Sequence, residues 1–120
     1  MTFDLNIKTA EQLSAETLEA KRNGMRAFKR AMRQSLKLFP STTHDHLLAQ
    51  LDDAVAALSD YHPAKDAWAD VVEFVRMNED VLAFGPLFGL DDQMMDTAFT
   101  VAMALQGGAS EADALSLAGL

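Results

Sequence analysis

The sequence predicts an all-α fold, a single-domain helical bundle with four or five main helices. The hydrophobic residues are mostly helix formers: twenty are Ala, sixteen Leu and seven Met, whereas Val and Ile together supply seven. Ala, Leu and Met lose little side-chain entropy in a helix, while branching at Cβ favours strands. Apolar residues also recur at spacings of three and four along most of the chain, which is the period of an amphipathic helix. The length of 120 residues is that of one domain.

The N-terminus is predicted to form an extended arm in front of the first helix. Phe3, Leu5 and Ile7 alternate with polar residues, which is the pattern of a strand with one apolar face. We expect residues 1–24, the arm and the first helical segment, to be able to protrude from a helical core formed by residues 25–120. Because a short arm cannot bury both of its faces, its three apolar side chains are a candidate surface for binding a partner.

A long first helix is predicted from Thr9 to Phe39. Thr9 and Gln12 match a capping box at its start, and Pro40 stops it. Asn23-Gly24 interrupts the pattern, which predicts either a bend or a mobile first segment docked on a better-packed second one. The apolar positions of the second segment form one stripe at helical spacing: Met25, Phe28, Met32, Leu36 and Phe39.

The later helices are predicted from caps and helix breakers. The second helix is predicted from a cap within Ser41–Thr43 to about Tyr61, and the third from Pro63 to about Asn78. A short helical segment is predicted over 80–88. Another helix is predicted from its cap at Asp91 to the stop at Gly107-Gly108, and a weak final helix over 111–118 after Ser110. Gly85-Pro86 is expected to break the 80–88 segment. The helix that begins at Pro63 is expected to turn four side chains inward, with Phe74 on its flank: Trp68, Val71, Val72 and Val75.

Composition and charge exclude several classes of function. The absence of cysteine excludes disulfides, thiolate zinc sites, iron–sulfur clusters and cysteine nucleophiles. A net charge of −8 and a pI of about 4.6 argue against general binding to nucleic acids or anionic membranes. No apolar run approaches the roughly 20 residues of a membrane span, and the N-terminus lacks the pattern of a signal peptide. We therefore expect a soluble domain of the intracellular type.

The charges are divided sharply along the chain. Seven basic residues and no acid lie between Lys21 and Lys37, whereas fourteen acids and two bases, Lys65 and Arg76, lie from Leu38 to the end. On a continuous helix the basic side chains would form one stripe, beside and partly opposite the apolar stripe. Six residues make up this basic stripe: Arg22, Arg26, Lys29, Arg30, Arg33 and Lys37.

Three interpretations of the basic stripe remain open. The stripe can be a solvated helix face that suits the helix macrodipole and neutralises the acidic remainder, within the fold or in a neighbouring copy. It can be a docking face for an acidic protein partner. It can also bind phosphates, although a nucleic-acid reader usually adds aromatic side chains, and the acidic remainder repels the nucleic-acid backbone.

The acidic remainder allows a different kind of interaction. Carboxylates are numerous between residues 52 and 80, and they can imitate phosphates for a basic partner, although acidic faces usually serve solubility. Asp66, Asp70 and Glu73 are the candidate residues of this alternative acidic face.

Candidates for catalysis are few, and we expect no enzyme activity, cofactor or metal. His44 and His46 would point in opposite directions on a helix, so surface positions are expected rather than a shared metal ion. The chain has no Glu-x-x-His pair, glycine-rich phosphate loop or Gly-x-Ser-x-Gly elbow. One cluster of Met and Phe is expected to be core, with an adaptable binding groove as the alternative: Phe84, Phe88, Met94, Met95, Phe99 and Met103.

Several short segments carry a resemblance that covers most of the chain in order. They are Phe3-Asp4-Leu5, 7–13, Ala15-Glu16, Ala20-Lys21-Arg22, 26–29, Trp68 with 74–76, and 88–92. These segments resemble small phage and prophage proteins from tail-region gene clusters, which begin with a short hydrophobic arm and a Thr-Ala-Glu-rich helix. The resemblance implies a non-enzymatic accessory or tail-associated protein and brings no catalytic residue. The dense basic block from Lys21 to Lys37 departs from that pattern.

These observations lead to one expected function and two alternatives. We expect a phage or prophage protein–protein interaction module, tail-associated or an assembly accessory, that docks its basic stripe or its apolar arm on a partner protein or on another copy of itself. The alternative is an acidic inhibitor that binds a host defence protein, as anti-CRISPR proteins do. An uncharacterised enzyme is the third option. The expected location is the host cytoplasm or the virion.

Overall fold

A computed structural model describes residues 10–120, with side chains from residue 14 onward. Within this range seven helices and two short strands follow one another: α1 Ala10–Asn23, β1 Arg26–Phe28, α2 Lys29–Lys37, α3 Leu47–Ala56, α4 Pro63–Asp70, β2 Glu73–Val75, α5 Glu79–Phe88, α6 Asp92–Gln106 and α7 Glu111–Leu117. The mainly helical character predicted from composition is confirmed. The candidate arm residues Phe3, Leu5 and Ile7 lie outside the described residues.

Helices α2 and α6 pack against each other at the centre of the fold. Met32 and Leu36 of α2 and Phe99 of α6 are buried in this contact region. Ser35 is also fully buried, and its hydroxyl donates a 2.7 Å hydrogen bond to the Ala98 carbonyl oxygen. A buried hydroxyl without a partner costs about 1–3 kcal/mol, so this bond selects one register between the two helices.

The predicted first helix from Thr9 to Phe39 is wrong, because the chain leaves the helix at Asn23 and becomes extended before α2. The extended residues, Arg26–Phe28, pair with β2 in an antiparallel two-stranded sheet, with Ala27 opposite Phe74. Ala27 is fully buried, whereas Phe28 is 53% exposed, which is the alternation of a strand. Met25 and Met32 are both buried, so the apolar spacing imitates a helix across a segment that is partly extended.

The helix predicted over 63–78 is shorter than expected. After Asp70, the side chains expected to be buried and those expected on the flank exchange places. Helix α4 ends at Asp70, and β2 follows at Glu73–Val75. Phe74, expected on the flank, is 4% exposed and packs edge-to-face on Trp68 with ring centroids 5.9 Å apart. Val72, expected to face inward, is 75% exposed. The three valines between 71 and 75 are β-branched, so the local preference is for a strand.

Gly85-Pro86 does not break the apolar segment, because α5 runs through both residues to Phe88. Gly85 is required by close packing rather than by a turn. A Cβ atom at this position would lie 2.8 Å from the Met95 sulfur and 3.2 Å from the Leu90 carbonyl oxygen. The absent side chain therefore lets α5 approach the beginning of α6.

The helix caps are partly as predicted. Asp91 accepts a hydrogen bond from the Met94 N–H at 2.7 Å, and Ser110 accepts one from the Asp113 N–H at 3.1 Å, as their positions predict. The cap of α3 is not in the predicted segment 41–43: His46 caps it and accepts from the Ala49 N–H at 3.1 Å. His62 caps α4 in the same way.

Replacing Gly85 tests the close approach of α5 and α6. Gly85→Ala is expected to destabilise the protein by about 1–3 kcal/mol, because Met95 must move and the Leu90 carbonyl belongs to the backbone. Gly24→Ala is the matched control, since its new Cβ would meet only the Lys21 carbonyl oxygen, at an ordinary 3.6 Å. Urea unfolding measures both variants, and equal stability of the two would contradict this packing.

Candidate functional site

The basic stripe is divided among three elements and does not lie on one continuous helix. Arg22 lies on α1, Arg26 on β1, and the other four residues on α2. Two members are held by carboxylates of the same chain. Arg22 donates to both oxygens of Asp96, with its shortest contact at 2.8 Å, and Arg33 donates to both oxygens of Asp52 at 3.0 and 3.2 Å.

The remaining members of the stripe differ in what they contact. The Lys29 ammonium donates to the Ala69 carbonyl oxygen at 3.0 Å, near the end of α4. Arg26 lies 3.8 Å from Glu73 across the small sheet, a long ion pair between half-exposed side chains. Arg30 and Lys37 are exposed, and neither has a polar partner among residues 14–120. Internal neutralisation therefore accounts for Arg22 and Arg33, while the role of the stripe in binding a partner stays a prediction.

Arg76 is a structural residue that the sequence did not single out. It lies directly after β2 and is 1% exposed, yet it is charged. Its Nε donates to Asp96 Oδ1 at 2.9 Å and its Nη2 to Asp92 Oδ1 at 3.0 Å. Its Nη1 is buried and has no hydrogen-bond partner within the described structure. The available signal was its position, since it is one of only two basic residues after Leu38.

Asp96 is shared by two arginines, which changes its ionisation. Burial alone would raise the pKa of Asp96, but the hydrogen bonds from Arg22 and Arg76 outweigh burial and hold its pKa below the ordinary value of 3.8. The same contact with Asp96 raises the pKa of Arg22. This carboxylate therefore remains charged in the folded protein and links α1, the turn after β2, and α6.

A groove of about 390 Å³ lies between the end of α4, β2 and the start of α5. Three carboxylates line it, from Asp70, Glu73 and Asp80, and we refer to it as the acidic groove. The rest of its lining is mainly apolar: Ala67, Val71, Val72, Asn78, Val81 and Phe84. Asp66 lies one helical turn before Asp70 on α4 and is exposed. All three residues of the predicted acidic face thus lie in or beside one concave surface.

The acidic groove contains little internal neutralisation. The carboxylates of Asp66, Asp70 and Asp80 make no ion pair or hydrogen bond with any side chain of the described range, 14–120, and Glu73 has only the long contact with Arg26. Asp80 comes from α5. It belongs to the acidic stretch between residues 52 and 80, but only the tertiary structure brings it beside Asp70 and Glu73.

The cluster of Met and Phe is mostly core, as the main interpretation predicted. Phe84, Phe88, Met95 and Phe99 surround a small cavity of about 40 Å³ beside Trp68. The Trp68 ring packs edge-to-face on Phe84 and Phe88, with centroids 5.4 Å away in each case. Interior packing of this kind leaves no room for a ligand of useful size.

The histidines serve local structure. His46 and His62 use Nδ1 to accept backbone N–H groups at helix starts, and His44 contacts Asp53 at 2.7 Å through Nε2. In the described part of the chain, no group of three or more potential ligands is placed to hold a metal ion. None of the helices described here combines the length and the hydropathy needed to cross a membrane.

Comparisons with protein-family models, with curated proteins and with solved structures each find no match to this chain.

Removing the Asp96 charge tests the arginine cluster. Asp96→Asn is expected to lower the free energy of unfolding by about 3 kcal/mol at pH 7, because Arg76 stays buried with a weakened partner. Since the pKa of Asp96 is lowered in the folded state, its contribution is present above the ordinary value of 3.8 and is lost as the pH falls through the folded pKa. Wild type should therefore lose more stability on acidification than the variant does.

Urea unfolding at pH 7 and at about pH 2.5 measures both effects. Asp45→Asn is the control, because Asp45 is exposed and has no partner in the described structure. An Asp96→Asn variant with the stability and pH profile of this control would contradict the role given to the cluster.

Proposed function

We propose that this chain is a non-catalytic protein-interaction module that binds a basic partner protein in the acidic groove. Its resemblance to phage and prophage tail-region proteins supplies the setting of the proposal, in which the partner is a phage structural protein or a host protein. Of the two interaction surfaces expected from the sequence and described by the structure, the acidic face is the one with the better support.

The observation that carries the proposal is the combination of unpaired carboxylates with apolar side chains in the lining of one groove. Asp70 and Asp80 line the same groove without a cationic partner in the described residues, together with the exposed Val72. Single exposed carboxylates favour solubility, but carboxylates around an apolar concave surface favour a partner that brings both charge and apolar contact.

The basic stripe has less support as a docking surface. Binding a partner through Arg22 or Arg33 would require breaking three hydrogen bonds to Asp96 or two to Asp52. Such an exchange adds little binding free energy, because the new ion pair replaces an existing one. The other four members of the stripe avoid that cost, but Lys29 already donates to a backbone carbonyl oxygen, and only Arg30 and Lys37 have no polar partner among the described residues.

A binding experiment with a basic probe tests the proposal. The probe is a fluorescein-labelled nine-residue peptide of alternating Lys and Val, and fluorescence anisotropy measures its Kd. Asp66→Asn, Asp70→Asn and Asp80→Asn together should weaken binding by about tenfold, which corresponds to about 1.4 kcal/mol and is reasonable for three partly exposed charges. Binding to wild type should also weaken as salt is added.

The control separates the groove from net charge. Glu19→Gln, Asp45→Asn and Glu111→Gln remove the same three charges at exposed positions away from the groove, and this variant should bind within threefold of wild type. Arg30→Gln with Lys37→Gln should leave the affinity unchanged or slightly higher. Equal losses in the groove variant and the charge control would refute the proposal, as would a wild-type protein that does not bind the peptide.

A further inference from the structure

The geometry points to strand addition: we infer that the acidic groove takes an extended segment of alternating basic and apolar residues, which pairs with the free edge of β2 as a third strand. This inference rests on the proposed function and specifies the partner's conformation and sequence pattern.

The hydrogen bonds of the small sheet show which backbone groups of β2 are free. Lys29 N–H donates to the Val72 carbonyl oxygen, and Arg76 N–H donates to the Met25 carbonyl oxygen, each at 2.9 Å. Ala27 and Phe74 are paired midway between these bonds. Because an antiparallel ladder uses every second residue, the backbone groups of Glu73 and Val75 point away from β1.

Most of these outward groups have no partner. Among the described residues, the Glu73 N–H, the Glu73 carbonyl oxygen and the Val75 N–H form no hydrogen bond, whereas the Val75 carbonyl oxygen accepts from the Asn78 N–H at 3.0 Å. An edge with free donors and acceptors is a template for pairing with another chain.

The other edge of the sheet is less available. On β1 the Phe28 N–H donates to the Gln106 side-chain oxygen at 2.8 Å, so α6 occupies that side. The sheet can therefore extend on the β2 side, where a partner strand would find one N–H and one carbonyl oxygen on Glu73 and a further N–H on Val75.

The acidic groove lies beside this free edge and selects the occupant. The groove is lined by residues 71–73, which lead into β2, and by residues 78, 80 and 81 at the start of α5, and no β1 residue takes part. Successive side chains of an added strand point to opposite faces. One set would reach the carboxylates of Asp70 and Asp80, which favours Lys or Arg, and the other would cover Val72, which is 75% exposed, and this favours apolar residues. A preformed helix lacks free backbone groups for this pairing.

The test uses the Lys–Val peptide and two backbone-methylated forms. One form carries N-methyl groups on all Lys amides and the other on all Val amides, so that charge and composition are matched. In an added strand only one of these two sets of amides faces β2. One methylated form should therefore lose at least tenfold in affinity, while the other stays within about threefold of the parent.

Amide hydrogen exchange, followed by NMR in the full chain, gives a second measurement. In the free protein the Phe74 N–H should be protected by the ladder, while those of Glu73 and Val75 exchange rapidly. Adding the parent peptide should protect the Glu73 and Val75 amides. A peptide that binds with both methylated forms equal to the parent, and without new protection at Glu73 and Val75, would overturn strand addition and leave the proposed function standing. A parent peptide that does not bind overturns both.

Discussion

The burial of the Arg76 guanidinium is the constraint on which most of the fold depends. A charge that is 1% exposed must be met by carboxylates, and Asp92 and Asp96 of α6 supply them. The backbone N–H of Arg76 also closes the sheet by donating to the Met25 carbonyl oxygen. Asp96 in turn accepts from Arg22, so one carboxylate joins α1, the β2–α5 turn and α6. Gly85 and Ser35 then fix how α5 and α2 lie against α6.

The division of charge along the sequence is partly neutralised within the fold. The basic block between Lys21 and Lys37 is opposite in sign to the rest of the chain, and part of it folds back onto acids of α3 and α6. Within residues 14–120, the carboxylates of α4 and α5 receive no such partners. The surface around the acidic groove therefore stays negative, and the free edge of β2 lies in the same place, so charge and backbone pairing favour the same extended, basic partner.

Much of the helical architecture could be predicted from local signals, because composition, the cap at Asp91 and the glycine stop at Gly107 act within a few residues. The two strands could not be predicted from local signals, since each has three residues and their pairing joins positions more than forty residues apart. This non-local pairing reversed the expected positions of Val72 and Phe74. Asp70 and Glu73 were recognised as acidic candidates, but Asp80 joins them only through tertiary packing. The partners of Arg76 were hidden for the same reason, although a lone arginine in an acidic stretch was a usable signal.

A double-mutant cycle between Arg76 and Asp96 measures how strongly the buried guanidinium depends on this carboxylate. Arg76→Met keeps much of the side-chain volume without the charge, and Asp96→Asn keeps the shape of the carboxylate. Urea unfolding of wild type, both single variants and the double variant gives the coupling free energy between the two positions. We expect each single variant to be strongly destabilised and the double variant to lose about 2 kcal/mol less than the sum of the two losses. Losses that add to within about 0.5 kcal/mol would contradict this expectation.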